Sequence, residues 1–193
     1  MRKIIVSEFV SLDGVLQATG GVDEDMDGGF AHGGWTSPFW HDDIGANFDK
    51  EISHCDTLLV GRKTWQIHGA AFEPMPESDD PFGNLQKVVI STTLRSASAW
   101  RNSTLVNKNF VDEIRKLKEQ PGKDIYVDGS SVLVHMMARN HLVDEYCLLV
   151  FPIVLGGEKK VFPEGFHLDL KLVETKTFPT GVILLRYRPN GKK

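Results

Sequence analysis

The chain has 193 residues, 22 basic and 26 acidic side chains and a net charge of −4, which is long enough for one self-sufficient core and too acidic for a nucleic-acid footprint. Its two cysteines, Cys55 and Cys147, imply no disulfide framework and read as small core residues of a reducing compartment. Roughly 18 consecutive apolar residues occur nowhere, and MRKIIVSEFV lacks an h-region of signal length, so the expectation is one domain over residues 1–193, soluble and cytoplasmic, with no membrane partner.

Lys3 to Val10 reads as a first, central strand, ending in the Asp13-Gly14 turn of SLDG. Gln17 to Ser37 is glycine-rich and aperiodic, the pattern of a lid or of a disordered loop, and Phe30 and Trp35 in it argue for packing over something. Asp23, Asp25, Asp27 and Gly28 match the first half of a calcium loop, but Gly34 stands where the bidentate Glu is needed, so the stretch reads as a solvated acidic tip. Pro38 to His54 carries an apolar stripe at Trp40, Ile44, Phe48 and Ile52, with Ser37 as N-cap and Pro38 at the first helical position. Asp43 and Asn47 lie one turn apart beside that stripe, where they either flank a pocket or form the wet margin of the helix.

The stretch Asp56 to Trp65, DTLLVGRKTW, organises the rest. A buried strand at Thr57 to Val60 stops at Gly61 and hands over to a helix start bearing Arg62, Lys63 and Thr64. Free N–H groups, the positive end of a helix dipole and two cations at one spot suit a phosphate. The bland alternative is an ordinary turn with a solvated Arg-Lys pair, and the spacing is not that of a P-loop. Ala71 to Asn84 reads as a surface connection. Gln86 to Ile90 is a further strand, followed by Ser91, Thr92, Thr93 and Arg95: either hydroxyls and a cation placed for a ribose or its phosphate, or a hydroxyl-rich turn.

A short strand is expected at Ser103 to Val106. After it Asn109 caps a helix with Phe110, Ile114 and Leu117 on one face and Asp112 and Lys116 as an i,i+4 pair. Asp124 to Val127 is the next strand, and Gly129, Ser130 and Ser131 then repeat the strand, Gly turn and helix start, with Val132, Leu133, Met136 and Met137 on the buried side. From Val143 the pattern is strands alone: Glu145 to Val154, Lys171 to Phe178 and Val182 to Arg188, the last two joined at Pro179 to Gly181. The fold class is α/β, a mostly parallel sheet with antiparallel strands added at one edge.

There is no Gly-x-Ser-x-Gly elbow, no Gly-x-Gly-x-x-Gly fingerprint, no His-Glu-x-x-His and no Cys-x-x-Cys. No metal is expected, and all seven histidines read as surface residues. Hard chemistry, if any, would be carried by a bound cofactor.

Taken together, SLDG at 11–14, VGRKTW at 60–65, VVIST at 88–92, YVDGSSVLV at 126–134, LVDEY at 142–146 and PIVLGGEKKVF at 152–162 give the chain its resemblance. It resembles the dihydrofolate reductase superfamily, and more closely the branch similar to the C-terminal reductase domain of the bifunctional riboflavin-biosynthesis deaminase/reductase. The resemblance implies a dihydrofolate-reductase-like three-layer fold, with a mixed sheet of about eight strands and a C-terminal antiparallel hairpin. It further implies a NADPH-dependent reductase of a pterin-, pyrimidine- or carbonyl/imine-type compound; the alternative is a protein of the same fold that holds NADP(H) without turnover. In the family the two Gly turns hold the cofactor phosphates, which maps onto Gly61 to Thr64 and Gly129 to Val132, and the strand end holding the ribose maps onto Ser91 and Thr92. The chain departs from the folate enzymes in carrying Gly129-Ser130 in place of a Gly-Gly pair and Thr92 in place of an Arg.

With the phosphates so placed, the nicotinamide reaches toward Ser11 to Gly14 under the glycine-rich lid. Gly14, Trp35 and Asn47 are then expected on the substrate side, and Asp13 or Asp43 as the group that moves a proton. Arg62, Lys63 and Arg95 favour NADPH over NADH. A homodimer is expected through the C-terminal strands, whose apolar residues include Tyr146, Leu148, Val150 and Ile183 to Leu185.

Overall fold

The structure, a computed structural model, describes residues 1–191. Among the described residues eight strands make one sheet: β1 (Ile4–Ser11), β2 (Cys55–Gly61), β3 (Gln86–Ile90), β4 (Ser103–Val106), β5 (Asp124–Val127), β6 (Glu145–Phe151), β7 (Leu170–Thr177) and β8 (Ile183–Pro189). Their order in space is β4, β3, β2, β5, β1, β6, β8, β7. Pairing is parallel from β4 through β6, and β8 runs antiparallel to both β6 and β7. Parallel neighbours need crossovers, supplied here by helices α1 (Asp42–Ser53), α2 (Arg62–Phe72), α3 (Phe110–Glu119) and α4 (Ser131–Arg139).

Strand periodicity divides the core into two halves. Ile5, Leu58, Val60 and Tyr126 pack with Ile44 and Ile52 of α1 and Trp65 of α2. Ile4, Val6, Leu59, Ile125 and Val127 point the other way, onto Ile114 and Leu117 of α3 and Leu133, Val134 and Met137 of α4. The result is the three-layer α/β arrangement, with Leu58, Leu59 and Val60 at 0% exposure because β2 is covered on both faces. Cys55 and Cys147 are free and buried within it.

Several local expectations shift. Pro38 starts a single 3₁₀ turn over Ser37–Phe39, and the chain is extended at Trp40 (ψ 141°) before α1 begins. The N-cap is therefore His41, whose Nδ1 accepts the Asp43 N–H at 3.2 Å, not Ser37. On α3 the ion pairs are Asp112 with Arg115 and Glu113 with Lys116, both i,i+3, and Asn109 makes no side-chain cap. The connection after α2 turns inward at Phe82, which is 2% exposed and held by Asp80, whose carboxylate accepts from the Phe82 N–H and from Trp100 Nε1. Val132, expected on the buried side of α4, is 81% exposed.

The C-terminal strands also differ from expectation. Pro152 follows the end of β6 at Phe151, three residues short of the expected limit. Strand β6 lies between β1 and β8, so Tyr146 and Leu148, like Leu184 on β8, are buried inside the monomer and offer no outward surface. At this end of the sheet the edge strand is β7, with Leu172 and Val173 exposed. Among the described residues no helix is long and apolar enough to cross a membrane, and no group of three or more His, Cys, Asp or Glu is disposed to hold a metal ion.

Candidate active site

Because β5 inserts between β2 and β1, the turns that follow β2 and β5 become neighbours, although Gly61 and Gly129 lie 68 positions apart in the chain. They interlock through Ser130. Its Oγ accepts the Gly61 N–H at 2.8 Å and lies 2.8 Å from Thr64 Oγ1. Ser130 reaches both only from a left-handed backbone, φ 66° and ψ 64°, a conformation that costs a non-glycine residue roughly 1–3 kcal/mol and is sustained by surrounding contacts. A Cβ on Gly61 would meet Ser130 Oγ at 2.8 Å, and one on Gly129, at φ +64°, would meet Thr64 Oγ1 at 2.8 Å. Both glycines are thus required by close approach. Neither α2 nor α4 has a side-chain cap at its N-terminus, so two helix starts present first-turn N–H groups to one region.

That region is a cavity of about 720 Å³ at the C-terminal ends of β3, β2 and β5 and under β1. Gly61, Arg62, Lys63, Thr64, Ser91, Thr92, Gly129, Ser130, Ser131 and Val132 all line it. Val132 is exposed because it stands at the rim. Arg95, Asp13, Gly14, Trp35, Asp43 and Asn47 do not line it. Asp43 is exposed at the start of α1 beside His41. Asn47 has a buried Nδ2 without a hydrogen-bond partner. Asp13 accepts from Ser11 Oγ and from the N–H groups of Leu155 and Gly156, stapling SLDG to PIVLGG. Burial raises its pKa, but those hydrogen bonds outweigh it and bring the carboxyl down to about 2.

The glycine-rich segment is packed. Trp35 is buried, with Nε1 donating to Gln17 O at 2.8 Å, and Gln17 Nε2 donates to the carbonyls of Asp25 and Asp27. Of the acidic tip only Asp25 is turned inward, its side chain 12% exposed; Asp27 at 60%, with Asp23 and Gly28, stays at the solvated surface. Asp25 and Asp27 each lie 2.5 Å from Lys63 Nζ, and Lys159 Nζ lies 2.6 and 2.8 Å from the same two carboxylates. Hydrogen bonds from Lys159 first and Lys63 second draw the Asp27 carboxyl down to about 2. The cation at the head of α2 is therefore already answered by the lid.

Four groups to which the sequence assigns no site role line this cavity. Glu8, the lone charge in the apolar run of β1, is buried; its Oε2 accepts the Gly129 N–H at 3.0 Å. Asp128, directly before Gly129, holds His68 Nε2 at 2.5 Å. His68 lies one turn beyond Thr64 on α2 and is stacked on Phe82, centroids 5.4 Å apart and 17° from parallel, so it is not the surface residue expected. Burial pushes its pKa down, but the hydrogen bond and charge of Asp128 outweigh that and raise it. Phe9, Phe48 and Phe82 complete an aromatic wall, with Phe48 5.8 Å from Phe82 and 6.3 Å from Phe9. A charge in a core strand and a polar residue one helical turn past a phosphate-type turn were the available signals.

An eight-stranded sheet of this order, with two glycine-led helix starts over its strand ends, has the dihydrofolate-reductase-like fold. Solved structures with this fold include a protein named for riboflavin biosynthesis from Shewanella sp. PV-4 (TM-score 0.70, 21% identity, covering 97% of this chain and 99% of that one). They also include a pyrimidine reductase-like protein from Corynebacterium diphtheriae (0.66, 14%, 97% and 92%) and the dihydrofolate reductase of Enterococcus faecalis complexed with NADP(H) (0.62, 17%, 97% and 96%). The chain belongs to the RibD C-terminal domain family, a reductase-type family whose model matches residues 2–184. Its relatives include two uncharacterized proteins of Bacillus subtilis strain 168. YyaP is 33% identical over 196 residues, covering 98% of this chain and 96% of that protein; YwjB is 25% identical over 189 residues, covering 95% and 96%.

Proposed function

We propose that this protein is a NADPH-dependent reductase that passes a hydride to a small pterin-, pyrimidine- or carbonyl/imine-type compound. The observation that carries the reading is the interlocked pair of glycine turns. Two uncapped helix N-termini converge through Ser130 on a cavity in which a Cβ at Gly61 or Gly129 would collide, and one end of that cavity is walled by Phe9, Phe48 and Phe82. The first part suits a diphosphate and the second a flat ring. In this reading Gly61 to Thr64 and Gly129 to Val132 hold the phosphates, while Ser91 and Thr92 hold the ribose. NADPH, when bound, supplies the hydride. The aromatic wall orients the acceptor and keeps water from it.

Preference for NADPH over NADH falls to Arg62, which lines the cavity and is held by Gln66. A charge-assisted hydrogen bond of about 1.5–3 kcal/mol to the additional phosphate gives tenfold or greater discrimination. The deciding experiment is NADPH oxidation followed against a panel of a pterin, a pyrimidine ribosyl compound, a cyclic imine and benzaldehyde. Saturable oxidation of one acceptor is expected. Tight NADPH binding with no oxidation of any acceptor would instead favour a protein that holds the cofactor without turnover.

The same reading places the protein in the cytoplasm, in keeping with its two buried free thiols. We also propose a homodimer, now through the β7 edge, where Leu172 is 48% and Val173 43% exposed. Light scattering at micromolar concentration should give twice the 21.6 kDa chain mass, and Leu172→Lys should return the monomer. A wild-type monomer would contradict it.

A further inference from the structure

Strand β1 carries one acid in an otherwise apolar run, and the fold sets it beneath the cavity. Glu8 is 3% exposed. One carboxyl oxygen, Oε2, is used by the Gly129 N–H; the other, Oε1, is buried with no hydrogen-bond partner, and the residue lines the cavity. A dry, unpaired carboxylate oxygen is among the costliest features a core can hold, and binding a proton removes most of that cost.

The groups facing Glu8 reinforce this. Asp128 comes from the β5–α4 turn, with His68 of α2 behind it at 2.5 Å. The lid adds Glu24, Asp25 and Asp27 to the same cavity lining, the last two paired with Lys63 and Lys159. Burial first and the Asp128 charge second hold the Glu8 carboxyl well above its ordinary range, against the pull of the Gly129 N–H. Asp13, by contrast, is an acid of pKa about 2 outside the cavity lining.

We propose that Glu8 is a catalytic residue whose Oε1–H donates the proton that accompanies hydride transfer. This rests on the reductase reading above. The hydride and its electron pair leave the reduced nicotinamide and form a C–H bond at the acceptor carbon. The π pair of the C=N or C=O bond moves onto the heteroatom, which takes the Glu8 proton as an N–H or O–H bond. Oxidised nicotinamide and a Glu8 carboxylate remain. Solvent restores the proton, a return favoured because an anion at Glu8 stands beside Asp128 in a dry site.

The test has two arms. In glutamate-labelled protein, carbon-13 carboxyl NMR should show one resonance still protonated at neutral pH, present in wild type and missing from Glu8→Gln. A Glu8 signal already ionised at neutral pH would overturn the proposal without any substrate. In the second arm NADPH is used with the pterin, cyclic imine and benzaldehyde probes. Glu8→Gln keeps the acceptor for the Gly129 N–H, so its NADPH affinity should stay within about twofold. Its kcat should fall about a hundredfold and lose the alkaline limb of the pH profile, with partial rescue in Glu8→Asp. Wild-type kcat in Glu8→Gln would make the residue a buried neutral acid with no part in the reaction. Failure of wild-type protein to bind NADPH would bring down the reductase reading itself, a result distinguishable from both.

Discussion

Arg186 on β8 and Glu8 on β1 are both ionisable side chains withdrawn from water, and their surroundings treat them oppositely. Arg186 meets Glu51 of α1 at 2.6 Å, Glu145 of β6 at 3.3 Å and Glu174 of β7 at 3.1 Å, and Glu145 is further answered by Lys3 and Arg188. Every arm of the guanidinium has a carboxylate. Glu8 has one backbone N–H and one bare oxygen. The first cluster ties α1 to three strands; the second lines the cavity next to the glycine turns. Complete pairing marks a group the fold uses for itself, and incomplete pairing marks one held ready for something else.

The contrast extends to pH, with opposite signs. Burial raises the Glu145 pKa, but Lys3, Arg188 and Arg186 together outweigh it and leave it lowered. Its contribution to stability is therefore present above the unfolded carboxylate pKa and lost as pH falls through the lower folded value. Glu8 has a folded pKa raised above the ordinary 4.5. The native state holds a proton there that the unfolded chain has released, so stability declines as pH rises from that value toward the folded pKa.

The largest effect should come from breaking the paired cluster. Arg186→Met strands the buried Glu51 charge, while Glu145 keeps Lys3 and Arg188; loss of one partner of such a buried pair costs about 3–5 kcal/mol. The urea midpoint should drop accordingly, while NADPH affinity of the folded fraction stays unchanged; an unshifted midpoint would mean that the network contributes nothing. A smaller effect of opposite direction is expected at Glu8. Relative to wild type, Glu8→Gln should gain stability with rising pH above 4.5, at a slope of no more than about 1.4 kcal/mol per pH unit. Parallel stability curves for the two proteins would refute the raised pKa. The smallest concerns the lid. Asp25→Asn combined with Asp27→Asn frees Lys63 for a phosphate, and exposed pairs of this kind are worth about 0.2–1 kcal/mol. A gain of up to about fivefold in NADPH affinity is expected by fluorescence titration, and weaker binding would show that the carboxylates order the site more than they compete for it.

What could be read from sequence divides along the same line. Strands β3, β4 and β5 fall at Gln86–Ile90, Ser103–Val106 and Asp124–Val127 as their β-rich runs between turn residues require. The glycine turns announce themselves by composition, since only glycine tolerates the approach of Ser130 and Thr64. Glu8, Asp128 and His68 do not. They come from β1, the β5 turn and α2, and they meet only because β5 inserts between β1 and β2, a pairing that no local period encodes. The start of α1 was hidden for a different reason: Ser37-Pro38 carries a helix-start signature that is spent on a single 3₁₀ turn. Val132 is exposed where α4 borders the cavity, a position that the apolar stripe of the helix does not reveal.

Direct titration with NADPH tests the whole account. Trp35, Trp65 and Trp100 are buried in the core around the cavity, so energy transfer from protein to bound nicotinamide reports occupancy. Saturable transfer is predicted in wild type, at least tenfold tighter for NADPH than for NADH, and largely lost in Gly129→Ala, where the new Cβ would press on Thr64. Absence of saturable transfer from correctly folded wild-type protein, or equal response to both cofactors in wild type and Gly129→Ala, would contradict the assignment of this cavity to the cofactor.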